Sequence, residues 1–488
     1  MNDLLDDGFV QEQMAYWNIP GTALAICLDD QLIFEKGYGV RNLKTGAPMT
    51  PETLGCIASG SKSFTSGVLA LLADEGRLDF DRPVREYIPD FAMRDPFASQ
   101  EVTVRDMLYH RTGLADHDAT WPAPGVSREE YMHRLKFLAP DRPFRSTAEY
   151  NNVIYGILGH IAERISGQTW EELVQERILD PLGMKRTCLT VGQMRADSDF
   201  AVGYFERDRS GVLEEMPPWE MGVAAPAAAV NSCAKEMINW LRLHINGGLF
   251  EGRRLFSEAV MEELHRGAVD MRLLPWHWDE VPAYGRYAMG WKVTFYRGME
   301  VTFHTGEIEG YCAMEAFIRE KKLGFMLMVN RHKPCSPYMF TLAYTIIDRA
   351  LGLPAVDWSA RLRAFDGKFG GTHYHWKVDL MPGTPVPGTC PTHPREQYTG
   401  LFQNEGYGQL QVAAEEGGDS LSLVYKGWRL PMEHFHYDTF RVRDIKEDTL
   451  FVTAPLTYHY DEITGEIDGL YLRLEPKVPS LWFKKVCR

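Results

Sequence analysis

The sequence predicts an α+β fold: an antiparallel sheet flanked by helices and an all-helical region, followed by a small C-terminal antiparallel β-barrel. Strand patterns occur within residues 22–40 and return around residue 287, and helix patterns fill the stretch between them. From Tyr398 onward only short strand patterns occur, separated by turn residues at even spacing. Strands that bracket a helical middle are typical of a sheet-plus-helix domain, and short, evenly spaced strands are typical of a barrel or sandwich.

The N-terminal half begins with a predicted hairpin and continues into helices. Residues 22–28 (TALAICL) and 32–40 (LIFEKGYGV) are rich in strand-forming residues and are joined by a short turn. Residues 63–76 (SFTSGVLALLADEG) predict a buried helix that ends at Gly76, because glycine suits a helix C-terminus. Later helix patterns are VTVRDMLYH, NVIYGILGHIAERISG, TWEELVQERILDPLG and AKEMINWLRLHINGG.

The C-terminal half changes from a strand meander to a linker and then to the barrel. The meander consists of YAMGWKVTF, MEVTFHT, YCAMEAFIRE and KLGFMLMVN, and an apolar helix at 338–352 follows it. Glycine, proline and histidine are frequent in residues 356–394, which predicts a linker. We therefore expect a mixed domain over 1–355 and a barrel domain over 395–488.

Composition and charge argue against several classes of partner. The chain has 488 residues, and its formal net charge is −15. Nucleic acids and anionic membranes select for basic surfaces, so neither is expected as a partner. The first residues, MNDLLDDGFVQEQ, contain no secretory or membrane-spanning pattern, and the eight cysteines include no CxxC pair. We expect a cytoplasmic protein with reduced cysteines and without a metal or other cofactor.

Three short patterns used in nucleophilic catalysis each occur twice. They are SxxK (Ser59/Lys62 and Ser232/Lys235), YxN (Tyr16/Asn18 and Tyr150/Asn152) and [KH]TG (44–46 and 304–306). One copy of each lies at a predicted element boundary: Ser59 opens a buried helix, Tyr150 precedes another helix, and His304 ends an edge-like strand. The other copies have structural interpretations, with Ser232 as a helix N-cap and residues 44–46 as a turn.

In this order the chosen patterns resemble the serine β-lactamase and penicillin-binding-protein superfamily. The resemblance is closest to the class C β-lactamase-like branch, which also contains S12-type peptidases such as D-aminopeptidases, D-amino-acid amidases, D-alanyl-D-alanine carboxypeptidases and esterases. MLYHRTGL (107–114), AEYNNVIYGILGHIAE, YAMGW and HTGEIEGY also resemble motifs of that branch, in its order. The resemblance implies a β-lactamase/transpeptidase-like fold. YTGLFQNEGYGQLQV and HFHYDTFRV resemble the lipocalin-like barrel of some members, notably compartment-forming archaeal peptidases.

The resemblance implies a serine hydrolase that works through a covalent acyl-enzyme. A serine hydroxyl needs an adjacent base, and Lys62 projects to the same helix face as Ser59. Lys62 can be that base only if burial lowers its pKa from about 10.4 toward neutrality. Tyr150 is expected to shuttle the proton to the leaving group. The sequence leaves open whether Lys62 or Tyr150 is the formal base, because coupled groups titrate together.

The remaining candidate residues are expected to bind the substrate and its oxyanion. Asn152 is expected to hydrogen-bond Lys62 or a substrate amide. The resemblance assigns the oxyanion N–H groups to Ser59 and Glu307. Gly306 allows a close approach of main chain and substrate. His304, at the first position of the HTG motif, is instead expected to be a catalytic residue, together with Ser59, Lys62 and Tyr150.

Structural interpretations of the same residues compete with the catalytic one. Ser59 and Lys62 fit a capped helix with a snorkelling lysine, and His304 fits an exposed histidine at a strand end. Two HxH pairs are expected to be packed or hydrogen-bonded rather than metal ligands, since no acidic or cysteine partner is identifiable. These pairs are His373/His375 and His434/His436.

The residues around the HTG motif narrow the expected substrate. Members that bind a substrate carboxylate generally have lysine where this chain has His304. The acidic Glu307 and Glu309 are expected to repel a carboxylate and to favour a neutral or amine-bearing substrate. We therefore expect hydrolysis of small amides or peptides, as by a D-aminopeptidase or amidase. The alternatives are a carboxylesterase, a β-lactamase or D-Ala-D-Ala carboxypeptidase, and a non-catalytic binding or assembly protein. The barrel either limits substrate size or mediates homo-oligomer formation.

Overall fold

The computed structural model describes residues 4–121, 125–206, 210–333, 335–368, 378–381, 383–415, 420–444 and 451–487. The contacts within the chain divide it into two compact units. The first, called the sheet unit below, comprises Met1–Pro89, Val102–Arg111 and Ile154–Tyr374. The second, called the barrel unit, comprises Asp90–Glu101, Thr112–Val153 and His375–Arg488.

The sheet unit is built around one large antiparallel sheet. Its described strands are β1 (Gly21–Leu28), β2 (Gln31–Asn42), β3 (Ala47–Pro48), β4 (Gly55–Cys56), β5 (Tyr204–Glu206), β6 (Leu213–Glu215), β7 (Asn231–Ser232), β8 (Leu249–Phe250), β9 (Arg253–Arg254), β10 (Val269–Arg272), β11 (Tyr284–Tyr287), β12 (Lys292–Tyr296), β13 (Met299–Ile308), β14 (Tyr311–Ile318) and β15 (Leu323–Val329). Nine of them form the sheet, in the order β10-β11-β12-β13-β14-β15-β1-β2-β3, with antiparallel neighbours. The predicted antiparallel sheet, with strands from both ends of this unit, is confirmed.

Most of the described helices lie between β3 and β10 in the chain, in the predicted helical middle. The described α-helices of the chain are α1 (Asp7–Tyr16), α2 (Ser61–Asp74), α3 (Pro96–Glu101), α4 (Val104–Leu108), α5 (Arg128–Arg134), α6 (Asn152–Ser166), α7 (Trp170–Val174), α8 (Val191–Ala196), α9 (Ala225–Ala228), α10 (Ala234–Ile245), α11 (Glu258–His265), α12 (Ser336–Ala350), α13 (Trp358–Lys368) and α14 (Arg395–Tyr398). The predicted helix after the hairpin is α2, and Gly76 follows it with a φ of +69°, as expected of a glycine at a helix C-terminus.

Both faces of the central strands are covered, which explains why β14 and β15 are buried along their whole length. On one face, residues of α1, α12 and α13 join the strands in a single apolar cluster. On the other face, Gly324 of β15 lies against Leu241 and Ile245 of α10. The helix α2 is buried over Ser61–Leu72 and carries the predicted SxxK lysine in its first turn.

The barrel unit contains a closed barrel of eight antiparallel strands, which confirms the predicted C-terminal barrel. The described strands of this unit are β16 (Val378–Asp379), β17 (Gly400–Asn404), β18 (Gly408–Ala414), β19 (Leu421–Tyr425), β20 (Trp428–His436), β21 (Thr439–Arg443), β22 (Phe451–Tyr460), β23 (Ile467–Leu472) and β24 (Leu481–Cys487). Each strand from β17 to β24 pairs with the next, β24 returns to pair with β17, and β16 adds a parallel pairing to β22. Because alternate turns of such a meander lie at the same end, the β17–β18, β19–β20 and β23–β24 connections share one end of the barrel.

The structure differs from the sequence-based division in two places. Residues 358–368 of the predicted linker form α13, because Trp358 and Leu362 pack into the apolar cluster of the sheet unit. The second difference is that residues 90–101 and 112–153, predicted as part of the first domain, group with the barrel. The predicted pair His373/His375 lies outside the described residues.

Two further findings concern the chain as far as the structure describes it. No helix in the described ranges is both long enough and apolar enough to cross a membrane. Among the described residues, the following cysteines are free thiols, and most of them are buried: Cys27, Cys56, Cys188, Cys233, Cys312, Cys335 and Cys390.

Candidate active site

The SxxK pattern brings a hydroxyl and an ammonium together at the start of α2. Ser59 lies in a short 3-10 turn, Ala58–Gly60, that leads directly into α2, and Lys62 is the second residue of that helix. Lys62 is fully buried, and its Nζ lies 3.2 Å from Ser59 Oγ and 3.1 Å from the carbonyl oxygen of Ala227. The nitrogen also lies 5.4 Å from the centre of the Tyr155 ring. The pair therefore places an amine within hydrogen-bond distance of the Ser59 hydroxyl, the arrangement that an activated serine requires.

The main chain just before Ser59 has an uncommon conformation. Ala58 has a φ of +48°, in the left-handed region that residues other than glycine seldom adopt. Such backbone conformations cost free energy and persist only where the surrounding structure imposes them, often at functional sites. Here the strained residue directly precedes the half-buried Ser59.

The strand β13 supplies the surroundings that impose this turn. A Cβ atom added to Gly306 would lie 1.9 Å from the carbonyl oxygen of Ile57 and 3.2 Å from Cβ of Ala58. Only glycine therefore allows β13 to lie this close to the turn that presents Ser59. The adjacent Glu307, predicted to contribute an oxyanion N–H group, pairs with Cys312 in the β13–β14 ladder.

His304 is not the exposed, strand-end residue of the structural interpretation. It lies within β13, an interior strand of the sheet, and its side chain is fully buried. Nδ1 lies 2.8 Å from the Thr305 carbonyl oxygen, so it carries the proton, and Nε2 lies 3.2 Å from the Tyr287 hydroxyl. Burial, together with the charges of Lys292 and Lys62, lowers the pKa of His304 well below its ordinary value. The ring is therefore neutral. The edge-strand expectation was wrong, because β12 pairs with the other side of β13.

Lys292 is a second lysine beside the HTG motif that sequence analysis did not identify. It opens β12, and its Nζ donates to Thr305 Oγ1 across 3.1 Å. Burial lowers the pKa of Lys292 to about 8, although the charge of Glu307 acts in the opposite direction. The lysine is still mostly protonated at neutral pH and places a positive charge beside the motif.

The charge of Glu307 is balanced by neighbours that are near in space. Its Oε2 lies 2.9 Å from Nζ of Lys333, and its Oε1 accepts a hydrogen bond from the Ser336 hydroxyl at 3.3 Å. Burial raises the pKa of Glu307, but Lys333 more than offsets this and holds the pKa below its ordinary value. The predicted repulsion of a substrate carboxylate by Glu307 is therefore weakened by an ion pair, and Lys292 opposes it further.

Tyr150 and Asn152 belong to the barrel unit, whereas Ser59, Lys62 and His304 belong to the sheet unit. Asn152 begins α6, and its Nδ2 donates to Oδ1 of Asp118 across 3.2 Å. Tyr150 directly precedes this helix and is half-buried. The catalytic roles of both residues stay predictions from the resemblance.

The other copies of the three patterns have structural partners. Ser232 lies in β7 and bonds the Thr187 hydroxyl at 2.7 Å, and Lys235 pairs with Glu52 at 2.9 Å. The predicted N-cap role of Ser232 was wrong by one position, because Cys233 occupies the N-cap of α10. Ser232 directly precedes that N-cap and pairs with Gly55 in the short β4–β7 ladder.

The barrel pair His434/His436 was expected to be packed or hydrogen-bonded rather than to bind a metal. Nε2 of His434 bonds the carbonyl oxygen of Tyr437 at 2.9 Å. Within the ranges that the structure describes, no group of three or more histidine, cysteine or acidic side chains is arranged to hold a metal ion.

Three aromatic or basic residues near the site were missed as candidates from the sequence. They are His110, Tyr287 and Lys292. The rings of His110 and Tyr287 lie 4.6 Å apart, and the pKa of His110 is lowered well below its ordinary value by burial and then by the charges of Lys62 and Lys292. One signal was available: Lys292 is the single charged residue within the otherwise apolar strand pattern YAMGWKVTF.

Comparisons with known proteins identify the family. The model of the Beta-lactamase family matches residues 7–344, and a model described as a domain of unknown function (DUF3471) matches residues 384–485. The chain is similar to the unguisins hydrolase ungD of Aspergillus violaceofuscus (strain CBS 115571), at 28% identity over 440 residues, which cover 84% of this chain and 76% of that protein.

Solved structures share the fold at low identity. The octameric penicillin-binding protein homologue from Pyrococcus abyssi has a TM-score of 0.61 and 21% identity, with 99% of each chain covered. The D-amino acid amidase from Ochrobactrum anthropi SV3 has a TM-score of 0.58 and 23% identity, covering 72% of this chain and 97% of that chain. Since the family model spans well over half of the sequence, the chain belongs to the Beta-lactamase family of serine hydrolases.

Proposed function

We propose that this chain hydrolyses amide or peptide bonds of small substrates through an acyl-enzyme on Ser59, in the manner of a D-aminopeptidase or amidase. The observation that carries the proposal is the 3.2 Å contact between Ser59 Oγ and the fully buried Lys62 Nζ. Oγ forms a bond to the substrate carbonyl carbon while its proton passes to the base. The carbon–nitrogen bond then breaks, and the proton leaves with the amine. Water then repeats the attack and releases the acid.

The other candidate residues have supporting roles in this proposal. Tyr150 transfers the proton to the leaving amine, and Asn152 orients Lys62 or a substrate amide. The N–H groups of Ser59 and Glu307 stabilise the oxyanion. His304 is a neutral positioning group, which is supported by its burial and by its bonds to Tyr287 and Thr305.

Labelling with a fluorophosphonate probe tests the nucleophile. We expect the wild-type protein to be labelled and the Ser59→Ala variant to be inert. Ser232→Ala is the matched control, because Ser232 has the same SxxK spacing but bonds Thr187 instead. Labelling that survives in Ser59→Ala, or no labelling of the wild type, would overturn the catalytic proposal and favour a non-catalytic binding or assembly protein.

A panel of substrates tests the reaction. D-aminoacyl anilides and short amides are expected to be turned over faster than nitrocefin, D-Ala-D-Ala peptides or short esters. Faster turnover of esters would favour a carboxylesterase instead.

One specific observation favours a second candidate, a hydrolase of carboxylate-bearing substrates such as D-Ala-D-Ala peptides or β-lactams. The ammonium of Lys292 and the hydroxyl of Thr305 lie 3.1 Å apart next to Gly306, and Glu307 is already paired with Lys333. A lysine and a hydroxyl together suit a carboxylate. The same panel separates the candidates, because a free carboxylate on the substrate raises kcat/KM in the second case and lowers it in the first.

The proposed partners are limited to small substrates and to further copies of the chain. One similar structure is described as octameric, which supports homo-oligomer formation. In this proposal the barrel mediates the assembly. Native mass spectrometry of the full-length chain tests this assembly. Cytoplasmic location stays a prediction.

A further inference from the structure

Two turns of the barrel hold the chain segment that carries Tyr150. These are the β19–β20 turn, with Lys426, and the β23–β24 connection, with Glu475 and Lys477. All three side chains bond residues within Thr112–Val153 of the same unit. Because the turns share one end of the meander, that end of the barrel is where the segment is attached.

The first attachment is to the turn at Asp118–Thr120. The two carboxylate oxygens of Glu475 accept hydrogen bonds from the main-chain N–H groups of Asp118 at 3.0 Å and Ala119 at 3.3 Å. Lys426 Nζ donates to the carbonyl oxygens of Ala119, at 3.1 Å, and Thr120. Glu475 therefore accepts from the main-chain N–H groups of this short turn, and Lys426 donates to its carbonyl oxygens. Together they fix the position of the turn.

Buried side chains complete this attachment. The Tyr407 hydroxyl lies 2.8 Å from Glu475 Oε1 and 2.7 Å from Nδ1 of His117. His117 Nε2 bonds the carbonyl oxygen of Ala139 at 2.8 Å, which ties in a second part of the segment. Glu475 is 2% exposed. A buried network in which each member has partners is rigid and costly to disrupt.

The second attachment is next to Tyr150 itself. Lys477 Nζ forms an ion pair with the buried carboxylate of Glu149 and lies 3.4 Å from Oδ1 of Asp116. The side chain of Asp118, whose main chain is bound by Glu475, accepts a hydrogen bond from Asn152. The barrel thus contacts the residue before Tyr150 directly and reaches the residue two positions after it through Asp118.

We propose that Glu475 and Lys477 are positioning residues that hold the Tyr150–Asn152 loop in its working geometry. This role rests on the proposed function, in which Tyr150 transfers a proton. Proton transfer requires a fixed geometry, and a misplacement of about 1 Å can cost roughly 100-fold in rate.

Kinetics of the full-length chain test the proposal. We expect Lys477→Met to lower kcat and the rate of fluorophosphonate labelling about 10- to 100-fold, with KM changed less than about 3-fold. Lys477→Arg, which keeps the charge, is expected to restore most of kcat. The matched control is Lys485→Met, because Lys485 Nζ donates to the carbonyl oxygen of Gln397 in the barrel unit and not to the Tyr150 segment.

A charge swap distinguishes positioning from general structural damage. The Glu149→Lys and Lys477→Glu single variants are each expected to lose kcat, and the double variant is expected to regain it. Rescue of this kind, at a similar thermal midpoint in all variants, supports positioning through this ion pair. If Lys477→Met fails to fold, Glu149→Gln removes the same ion pair from the other side.

The outcomes separate this proposal from the proposed function. With a labelled wild-type Ser59, an unchanged kcat in Lys477→Met and Glu149→Gln overturns the positioning role alone. A loss of kcat that the double swap does not restore also overturns it. A wild-type protein that the probe does not label overturns the proposed function first.

Discussion

Gly306 of β13 packs against the main chain of Ile57, two residues before Ser59. An added Cβ atom at this glycine would lie 1.9 Å from the carbonyl oxygen of Ile57. Two non-bonded heavy atoms do not approach each other that closely, so a side chain at this position would force the main chain to shift. The strand that carries the HTG motif and the turn that presents the serine are therefore fitted to each other through one missing side chain.

The Gly306→Ala variant is expected to lose activity because the Ser59 turn must shift. We expect the labelling rate of Ser59 to fall about 100-fold, and the free energy of unfolding to fall by about 1–3 kcal/mol from overpacking. Labelling kinetics and chemical denaturation measure the two effects. Gly192→Ala is the control, since the nearest atom to a Cβ there is a side-chain oxygen of Glu220 at 3.6 Å. Equal labelling of the two variants would contradict the prediction.

Lys62→Met is expected to abolish activity without unfolding the protein. A positioned general base contributes about 100- to 10,000-fold to a rate, and methionine fills similar space without a buried amine. Steady-state kinetics and thermal unfolding check the two expectations. Lys235→Met is the matched control, because Lys235 follows Ser232 at the same spacing but forms surface ion pairs with Glu52 and Glu35. Activity retained in Lys62→Met would exclude Lys62 as the base.

Lys292→Met is expected to change which substrates are cleaved. If Lys292 and Thr305 bind a carboxylate, kcat/KM for carboxylate-bearing substrates falls about 10- to 150-fold, the effect of losing a charged hydrogen bond of about 1.5–3 kcal/mol. Neutral amides are expected to change little. Because the pKa of Lys292 is lowered to about 8, the preference of the wild type for a carboxylate is expected to fade above pH 8.

Equal effects of Lys292→Met on charged and neutral substrates would remove the carboxylate-binding role. Lys321→Met is a suitable control, since Lys321 lies on an exposed turn where Glu320 is its neighbour.

Glu315→Met is expected to stabilise the protein, more so as the pH rises. Glu315 is 2% exposed, and neither carboxyl oxygen has a partner in hydrogen-bonding geometry among the described residues. Burial raises its pKa well above the ordinary value. Above the unfolded-state pKa of about 4.3, the native protein therefore holds one more proton than the unfolded chain, and its stability falls by up to about 1.4 kcal/mol per pH unit.

Chemical denaturation of the wild type and of Glu315→Met between pH 4.5 and 7.5 measures this effect. We expect the two free energies of unfolding to diverge as the pH increases, with the variant the more stable at pH 7.5. A pH-independent difference, or a less stable variant at pH 7.5, would falsify it.

Much of the fold was predictable because its signals are local. The strand-forming residues of 22–28 and the apolar run after Lys62 are signals that depend only on neighbours in the chain, and the two segments form β1 and α2 as predicted. The comparison of Ser59/Lys62 with Ser232/Lys235 shows that the SxxK spacing alone does not predict a contact between the serine hydroxyl and the lysine amine. Both pairs are three apart, but only the first has its two polar atoms in contact.

The errors and omissions concern residues whose surroundings come from distant parts of the chain. His304 was expected at the end of an edge-like strand, and its structural interpretation was an exposed histidine, but strands on both sides of β13 bury it. The repulsion expected from Glu307 ignored Lys333, which is remote in sequence but bonded in space.

The sequence by itself determined the order of the elements, the C-terminal barrel and the ordered motifs of Ser59, Tyr150 and His304, because spacing and hydrophobic periodicity are encoded locally. Only the tertiary structure decided that His304 is buried and neutral, that Lys292 stands beside Thr305, and that the Tyr150 segment is held by the barrel. The physical reason is that burial, charge balance and pKa depend on which distant side chains share a volume. A sequence pattern identifies the candidate residues but not the distant residues that they contact in the folded chain.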